Sequence, residues 1–275
     1  MTKKLKIVSW NVNSINARIE NLIFYLENEA PDILLLQELK CEKHKYPFSL
    51  ISNLGYDTKI KGQKTYNGVA ILSKYKIEDV VDELPHFDIH KNDEQSRYIE
   101  GLVNFNNQII RVASIYVPNG GSILEAGQNP NETEKFQYKM KFFDRLYKHL
   151  ENSLKFNEIA VFGGDYNVAH KNIDVYDPKN LDGTICFHFD ERKKFNSLLN
   201  LGYFDSFRAK NPDTQNFSWW DYRGNSFKYN KGMRIDYLLT SPLATDKIKS
   251  AKIDDFMYEK PKPSDHAPVS LILEI

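Results

Sequence analysis

Short apolar runs recur along the whole chain, each bounded by Asn, Gly, Pro or charged residues, and the spacing inside each run predicts its secondary structure. Residues 5–10 are apolar and β-branched, a strand, and Asn11-Val12-Asn13-Ser14 then supplies turn and helix-capping chemistry. Ile15, Ile19, Leu22, Ile23 and Leu26 fall at helical intervals, and Pro31 closes the helix they define. A buried strand follows at 33–36, and the runs at 68–72, 77–81, 98–105 and 109–117 read as a series of antiparallel strands. Residues 131–150 carry Phe136, Met140, Phe143, Leu146, Tyr147 and Leu150 at helical spacing, a second amphipathic helix. Residues 159–162 return to a short buried strand, and 190–201 form a third helix with Phe195, Leu198 and Leu199 inward and Gly202 as its stop. The last third gives strands near 217–220, 235–239, 247–256 and 269–275. Two β-rich halves, each contributing helices, predict an α+β fold, a four-layer α/β sandwich in which two mostly antiparallel β-sheets pack face to face with helices on the outside. No repeat, linker or low-complexity tract divides the chain, so residues 1–275 are expected to form a single domain.

Composition narrows the class. With 41% hydrophobic and 27% charged residues the chain has ordinary globular usage, which excludes disordered and fibrous readings. No apolar stretch is long enough to span a bilayer, and the basic start Met1-Thr2-Lys3-Lys4 runs straight into the first strand with no leader-like apolar region, so a cytoplasmic protein is expected. Cys41 and Cys186 form neither a disulfide framework nor a zinc half-site and are expected to be structural thiols. The 37 basic and 37 acidic residues cancel, which removes the bulk positive footprint of many nucleic-acid binders. Contact with a polyanion then requires lysines gathered on one face, or a bound cation that offsets an acidic site.

The polar residues fall at the ends of the apolar runs. Asn11 follows the first strand, Glu38 follows Leu34-Leu35-Leu36-Gln37, and Asp165 and Asn167 follow Val161-Phe162-Gly163-Gly164. Asp236 interrupts Ile235-Tyr237-Leu238-Leu239, and Asp265 and His266 precede the last strand. Acids at strand ends point toward one rim. If the strands share an edge, Glu38, Asp165, Asp236 and Asp265 crowd together, and carboxylates at that distance need a proton or a cation between them. Oxygen donors with Asn and one His imply Mg²⁺, with Mn²⁺ as a substitute, rather than thiolate-bound zinc. Each motif taken singly is as readily a loop feature as a site.

Taken in order, Trp10-Asn11-Val12-Asn13-Ser14, Leu36-Gln37-Glu38, Gly68-Val69-Ala70-Ile71-Leu72, Tyr116-Val117-Pro118-Asn119, Gly163-Gly164-Asp165-Tyr166-Asn167, Trp219-Trp220-Asp221-Tyr222-Arg223, Met233-Arg234-Ile235-Asp236-Tyr237 and Ser264-Asp265-His266-Ala267-Pro268 resemble the motif series of the exonuclease III and abasic-endonuclease family, within the DNase I-like nucleases and phosphatases. The Asn, Glu, Gly-Asp-x-Asn and Ser-Asp-His elements belong to that whole superfamily and imply phosphoester hydrolysis. Tyr-Val-Pro-Asn and Trp-Trp-Asp-Tyr-Arg with Arg-Ile-Asp-Tyr narrow the implication to DNA repair: incision 5′ to abasic sites with 3′-5′ exonuclease and 3′-phosphodiesterase action on double-stranded DNA, by a monomer with no obligate protein partner and no membrane attachment. The resemblance implies Glu38 as first metal ligand with Asn11 and Asp265 beside it, and Asp165 orienting or deprotonating water with support from Asn167. Asp165, Asn167 and His266 are further candidate ligands for a second ion. Asp236 is implied to bond His266 and favour its imidazolium, and Tyr116 to stand at the phosphate. Trp219, Met233 and Ile235 match a small apolar pocket for a flipped-out, baseless deoxyribose, whereas Trp10 and Trp220 are expected in the core. Asn119, Ser122 and Arg223 are candidates for strand contact or helix insertion, and Lys59, Lys61 and Lys64, followed by Tyr66, make the best local basic stretch for phosphate, with a solvated surface as the equal alternative.

Two rival readings remain. An inositol phosphatase or sphingomyelinase-like enzyme of the superfamily shares the acids, Asn and His, but lacks reason for the 219–223 motif and needs a lipid- or inositol-binding surface, for which no amphipathic membrane segment is present. A catalytically silent DNA-binding relative is expected to lose at least one of Glu38, Asp165, Asp236 or His266, and all are present.

Overall fold

The alternation inside the first strand sets the layout. In β1 (Lys4–Asn11), Leu5 and Ile7 point into the space between two sheets, while Val8 and Trp10 point the other way, onto a helix. β2 (Ile33–Gln37) repeats the pattern, with Ile33 and Leu35 inward and Leu34 and Leu36 outward. A computed structural model describes residues 2–85, 93, 95–121, 131 and 133–275, so the candidate Ser122 lies outside the described residues.

The first sheet runs in the order β13 (Ile248–Ile253), β14 (Val269–Glu274), β1, β2, β4 (Val69–Ser73), β3 (Asp57–Lys61). The second runs β5 (Ile77–Val81), β6 (Tyr98–Phe105), β7 (Gln108–Tyr116), β8 (Ile159–Asp165), β12 (Asp236–Thr240), β9 (Phe204–Asp205). Each holds one parallel pair among antiparallel ones, β1 with β2 and β7 with β8. A parallel pair needs a crossover, and a helix lies in each: α1 (Ile19–Asn28) between β1 and β2, covering the outer face of the first sheet, and α3 (Glu134–Ser153) between β7 and β8, covering that of the second together with the later α5 (Phe189–Asn200). Among the described residues, four short α-helices, α2 (Phe48–Ser52), α4 (Pro178–Leu181), α6 (Ser206–Lys210) and α7 (Pro242–Thr245), and a ribbon of β10 (Trp219–Trp220) and β11 (Gly232–Met233) accompany these layers. The expected four layers are present, with Ile7, Leu35, Ile71, Val112, Val161 and Leu238 among the residues filling the central one. Among the described residues no helix is long and apolar enough to cross a membrane.

Several boundaries move. The first helix starts at Ile19 rather than Ile15: residues 15–17 form a turn whose Arg18 N–H reaches back to the Ser14 and Ile15 carbonyls (both 3.2 Å), while the Ser14 and Ile15 N–H groups tie the segment to the carbonyls of Glu38 (2.7 Å) and Leu39 (3.1 Å). The runs between 68 and 117 divide between the two sheets, and the strand expected over 247–256 ends at Ile253. Lys59 and Lys61 lie on β3, a half-buried edge strand that their charge hid from the apolar pattern.

Between the two pocket candidates Met233 and Ile235 stands Arg234, almost fully buried. Its Nε donates to Asp174 Oδ1 (2.8 Å) and its Nη2 to Asp205 Oδ2 (2.7 Å), while Arg208 shares Asp174. The guanidinium also stacks 4.6 Å from the Tyr237 ring. This network ties the start of β12 to α6 and to the 172–175 turn. Truncating one member of a buried pair strands its partners, so Arg234→Met is expected to cost about 3–5 kcal/mol of folding stability, read as a lowered urea midpoint; an unchanged midpoint would show that the network is not stabilising.

Candidate active site

Toward one rim the inward rows turn polar. In β1 the row reads Leu5, Ile7, Ser9, Asn11, and in β2 it reads Ile33, Leu35, Gln37 before Glu38. A buried layer, Ser9 to Gln37 to Ser114, separates the apolar core from the site: Gln37 Nε2 donates to Ser114 Oγ (2.9 Å), which donates to the Leu36 carbonyl (2.7 Å). Across the gap, Tyr116 pairs with Asp165 and Asp165 with Asp236 in strand register, so phenol, carboxylate and carboxylate form one row over three strands. The sheets come close at Gly163, where a Cβ would meet Leu35 Cδ1 of the facing sheet at 2.6 Å, and within the second sheet a Cβ on Gly164 would meet the carbonyl of its β7 neighbour Ile115 at 1.9 Å. Only glycine lets β8 carry Asp165 into the gap.

The row from one sheet meets the row from the other. Asn11 Nδ2 donates to Glu38 Oε1 (2.9 Å) and Asp165 Oδ2 (3.0 Å), joining residues 154 positions apart or less. Glu38, Asp165 and His266 offer ligand atoms within 4.8 Å of one another. His266 Nδ1 bonds Asp236 Oδ2 (2.9 Å), and its Nε2 lies 3.8 Å from Asp165 Oδ2. Asp236 also accepts from Ser218 Oγ (2.6 Å), and the Trp10 indole donates to the His266 carbonyl (3.0 Å). Asn167 donates its backbone N–H to Asp165 Oδ1 (2.9 Å) and its Nδ2 to Asp165 Oδ2 (3.2 Å).

Burial and the facing carboxylates of Asp236 and Glu38 push Asp165 up to about 7, against the pull of His266. Burial opposes charge on His266, but Asp236 and Asp165 outweigh it and push the ring up to about 10, which makes it an imidazolium at neutral pH. Burial would raise Glu38, yet Lys40 and the Asn11 amide hold it below the ordinary carboxylate range. Burial, with Glu38 and Asp165 alongside, raises Tyr116 well above a free phenol, so it stays protonated.

Three candidate ligands are differently placed from the rest: Asn167 turns its amino group to Asp165 and the Val117 carbonyl while its oxygen accepts from Asn119 Nδ2 (3.1 Å). Asn11 meets the acids with its amino group, its oxygen being taken by the Asn13 N–H (3.0 Å). Asp265 lies outside the cluster of three, its oxygens accepting from Asn13 Nδ2 (2.8 Å) and Trp219 Nε1 (3.1 Å).

The cluster opens into a cavity of about 530 Å³. Its apolar wall contains Trp219, Met233 and Ile235, and also Ile185, which sequence reasoning left unassigned, and Cys186, expected only as a structural thiol. Cys186 is a buried thiol at φ 68°, donating toward Asn167 Oδ1 at 3.8 Å, and neither local pattern nor composition signals such a position. Asn119 lines the same cavity and donates to Asn167 Oδ1 (3.1 Å). Lys64 and Tyr66 are exposed on the β3–β4 loop, whose Asn67 carbonyl accepts from the Lys40 N–H, so they flank the acidic rim without lining the cavity. Arg223 is exposed too, but its guanidinium is forked onto Asp221 (Nη2 to Oδ2, 2.6 Å) and is not a free cation. Trp220 is core, as expected.

Residues 8–266 match the endonuclease/exonuclease/phosphatase family. The exodeoxyribonuclease III of Haemophilus influenzae is 32% identical, with 96% of this chain and 98% of that protein covered. A 3′ phosphatase from Neisseria, solved with a product DNA hairpin, superposes with a TM-score of 0.90 at 34% identity over 98% of this chain and 100% of that one. An AP endonuclease from Archaeoglobus fulgidus gives 0.88 at 34% identity, with the same coverage.

Proposed function

The chain belongs to the endonuclease/exonuclease/phosphatase family, and on that premise we propose that it is a Mg²⁺-dependent DNA-repair phosphodiesterase of the exonuclease III and AP endonuclease type, cutting duplex DNA 5′ to abasic sites and trimming 3′ ends. One observation carries the reading: Glu38, Asp165 and His266, drawn from separate strand ends, meet at the mouth of an apolar cavity.

The donor set fits a hard divalent cation. Asp165 is raised by burial and then by repulsion from Asp236 and Glu38, a deficit that a cation relieves, and the nearby Cys186 thiol, pushed up to about 12 by burial, offers no thiolate for zinc. Glu38 would hold the ion, with Asp165 facing it. When bound, Mg²⁺ supplies charge relief at the phosphoryl oxygens. The remaining roles fall to the protein. Asp165, oriented by Asn167, takes a proton from the attacking water, and its raised affinity for protons suits that task. His266, fixed through Nδ1 by Asp236, presents a charged Nε2–H to a phosphoryl oxygen, and Tyr116 adds a neutral phenol donor. Trp219, Met233 and Ile235 receive a sugar without its base, with Ile185 and Cys186 limiting what fits.

The test is a duplex carrying a stable abasic analogue, incubated with Mg²⁺ or with EDTA. The expected product is a nick 5′ to the lesion that requires the metal. Hydrolysis of inositol phosphates or sphingomyelin with the DNA left intact would overturn the reading in favour of the other branch of the family.

A thermal prediction follows from the titrations. Asp165 binds its proton more tightly folded than unfolded, so its contribution favours the fold at low pH and is lost as pH rises through about 7. His266, raised to about 10, contributes fully below its ordinary range near 6.5 and loses that contribution as pH rises through about 10. Both push the same way, so the metal-free protein is expected to lose Tm from mildly acidic to alkaline pH. Because a cation needs Asp165 ionised, Mg²⁺ should raise Tm above pH 7 and have little effect well below it. Equal Mg²⁺ shifts on both sides would remove Asp165 from the ion's surroundings.

A further inference from the structure

Lys139, midway along α3, has no solvent exposure, and none of the chemistry above uses it. A buried ammonium is tolerable only when all its donors are matched. Here all three are: Nζ donates to the Asn167 carbonyl (2.6 Å), to the Asn119 carbonyl (3.1 Å) and to Oε1 of Glu191, itself fully buried on α5. The second oxygen of Glu191 accepts the His188 N–H (3.0 Å), which ties the acid to the start of its helix.

Two of the three bonds therefore reach the backbone of residues whose side chains line the catalytic cavity. Asn167 is the more constrained of the two. It stands at φ 50°, in the left-handed region, with its N–H and Nδ2 on Asp165, a further Nδ2 bond to the Val117 carbonyl (2.9 Å) and its Oδ1 on Asn119. Its carbonyl is left for Lys139. The loop also closes tightly on the lysine stem: at Gly120, φ 94°, a Cβ would meet Lys139 Cδ at 2.9 Å.

We propose that Lys139 is a positioning residue for the nuclease reaction, clamping the Asn119 and Asn167 loops from behind so that Asn167 holds Asp165 in its reactive orientation. Filling space does not account for the residue, since an apolar side chain of that length would fill it without desolvating a charge, but would leave both carbonyls unmatched. The inference rests on the functional reading above.

Lys139→Met alone strands Glu191 and is expected to be unstable. The decisive variant is Lys139→Met/Glu191→Met, which removes both charges and keeps the volume. Arg145→Met serves as control, since Arg145 lies on the same helix and pairs with Asp93 (2.6 Å) away from the cavity. On the abasic duplex the double variant is expected to keep KM near wild type and lose about 10–100-fold in kcat, the cost of a small misplacement at the reacting centre. The control should lose stability but keep kcat. Lys139→Arg, which retains the buried charge with displaced donors, should fold and show an intermediate loss. Wild-type kcat in either folded Lys139 variant would overturn the clamp and leave the nuclease reading standing. A wild-type protein that fails to cut the duplex would instead overturn that reading.

Discussion

Asp165→Asn is expected to lower kcat on an abasic duplex by about 10³-fold, the middle of the range for a lost general base, with folding intact. The substitution keeps the shape but not the chemistry. Asp165 accepts from Asn11 Nδ2, Asn167 Nδ2 and the Asn167 N–H, so both its oxygens are surrounded by donors. An amide places one more donor among them and cannot take a proton from water. It also removes a carboxylate whose ionisation burial and its acidic neighbours resist, so the metal-free variant should lose less Tm than wild type as pH rises through about 7. That pairing of outcomes separates chemistry from folding. A kcat within a few-fold of wild type would take Asp165 out of the reacting centre.

Glu38→Gln is expected to cost about 10²-fold or more at a fixed Mg²⁺ concentration, since a bound cation is worth several kcal/mol of charge stabilisation, and part of the loss should return as Mg²⁺ is raised. The neutral amide can still accept from Asn11, but it gives up the charge that attracts the ion and leaves Lys40, now 2.7 Å from Glu38 Oε2, without its partner. Titrating activity against Mg²⁺ for wild type and variant checks this. A variant with reduced kcat and an unshifted Mg²⁺ midpoint would assign Glu38 some role other than holding the metal.

Much of the site was legible because strands have a period of two. Once 5–11 is a strand with Leu5 and Ile7 inward, Asn11 must face inward as well, and the same counting brings Tyr116, Asp165 and Asp236 to the interior from β7, β8 and β12. Glu38 and His266 come from beside strand ends, and the motifs around them supplied what periodicity could not. The substrate contacts were less legible. Arg223 stood as a candidate for strand contact, and its guanidinium is paired with Asp221 two residues away, a contact the motif did not signal. β3 went unseen because its alternation runs through lysines on an edge strand.

What the sequence determined by itself is local: which faces are apolar, where each strand stops, and that acids and amides stand at those stops, all set by backbone geometry over a few residues. Tertiary structure decided what depends on long-range distance and orientation. That Asn11 turns its amino group to the acids, that Asp265 is held by Asn13 and Trp219, and that Lys139 reaches two loops from a helix behind them follow from how closely two sheets and their covering helices approach. Hydrogen bonds and charge interactions depend steeply on such separations, and packing fixes them only once the whole chain has closed.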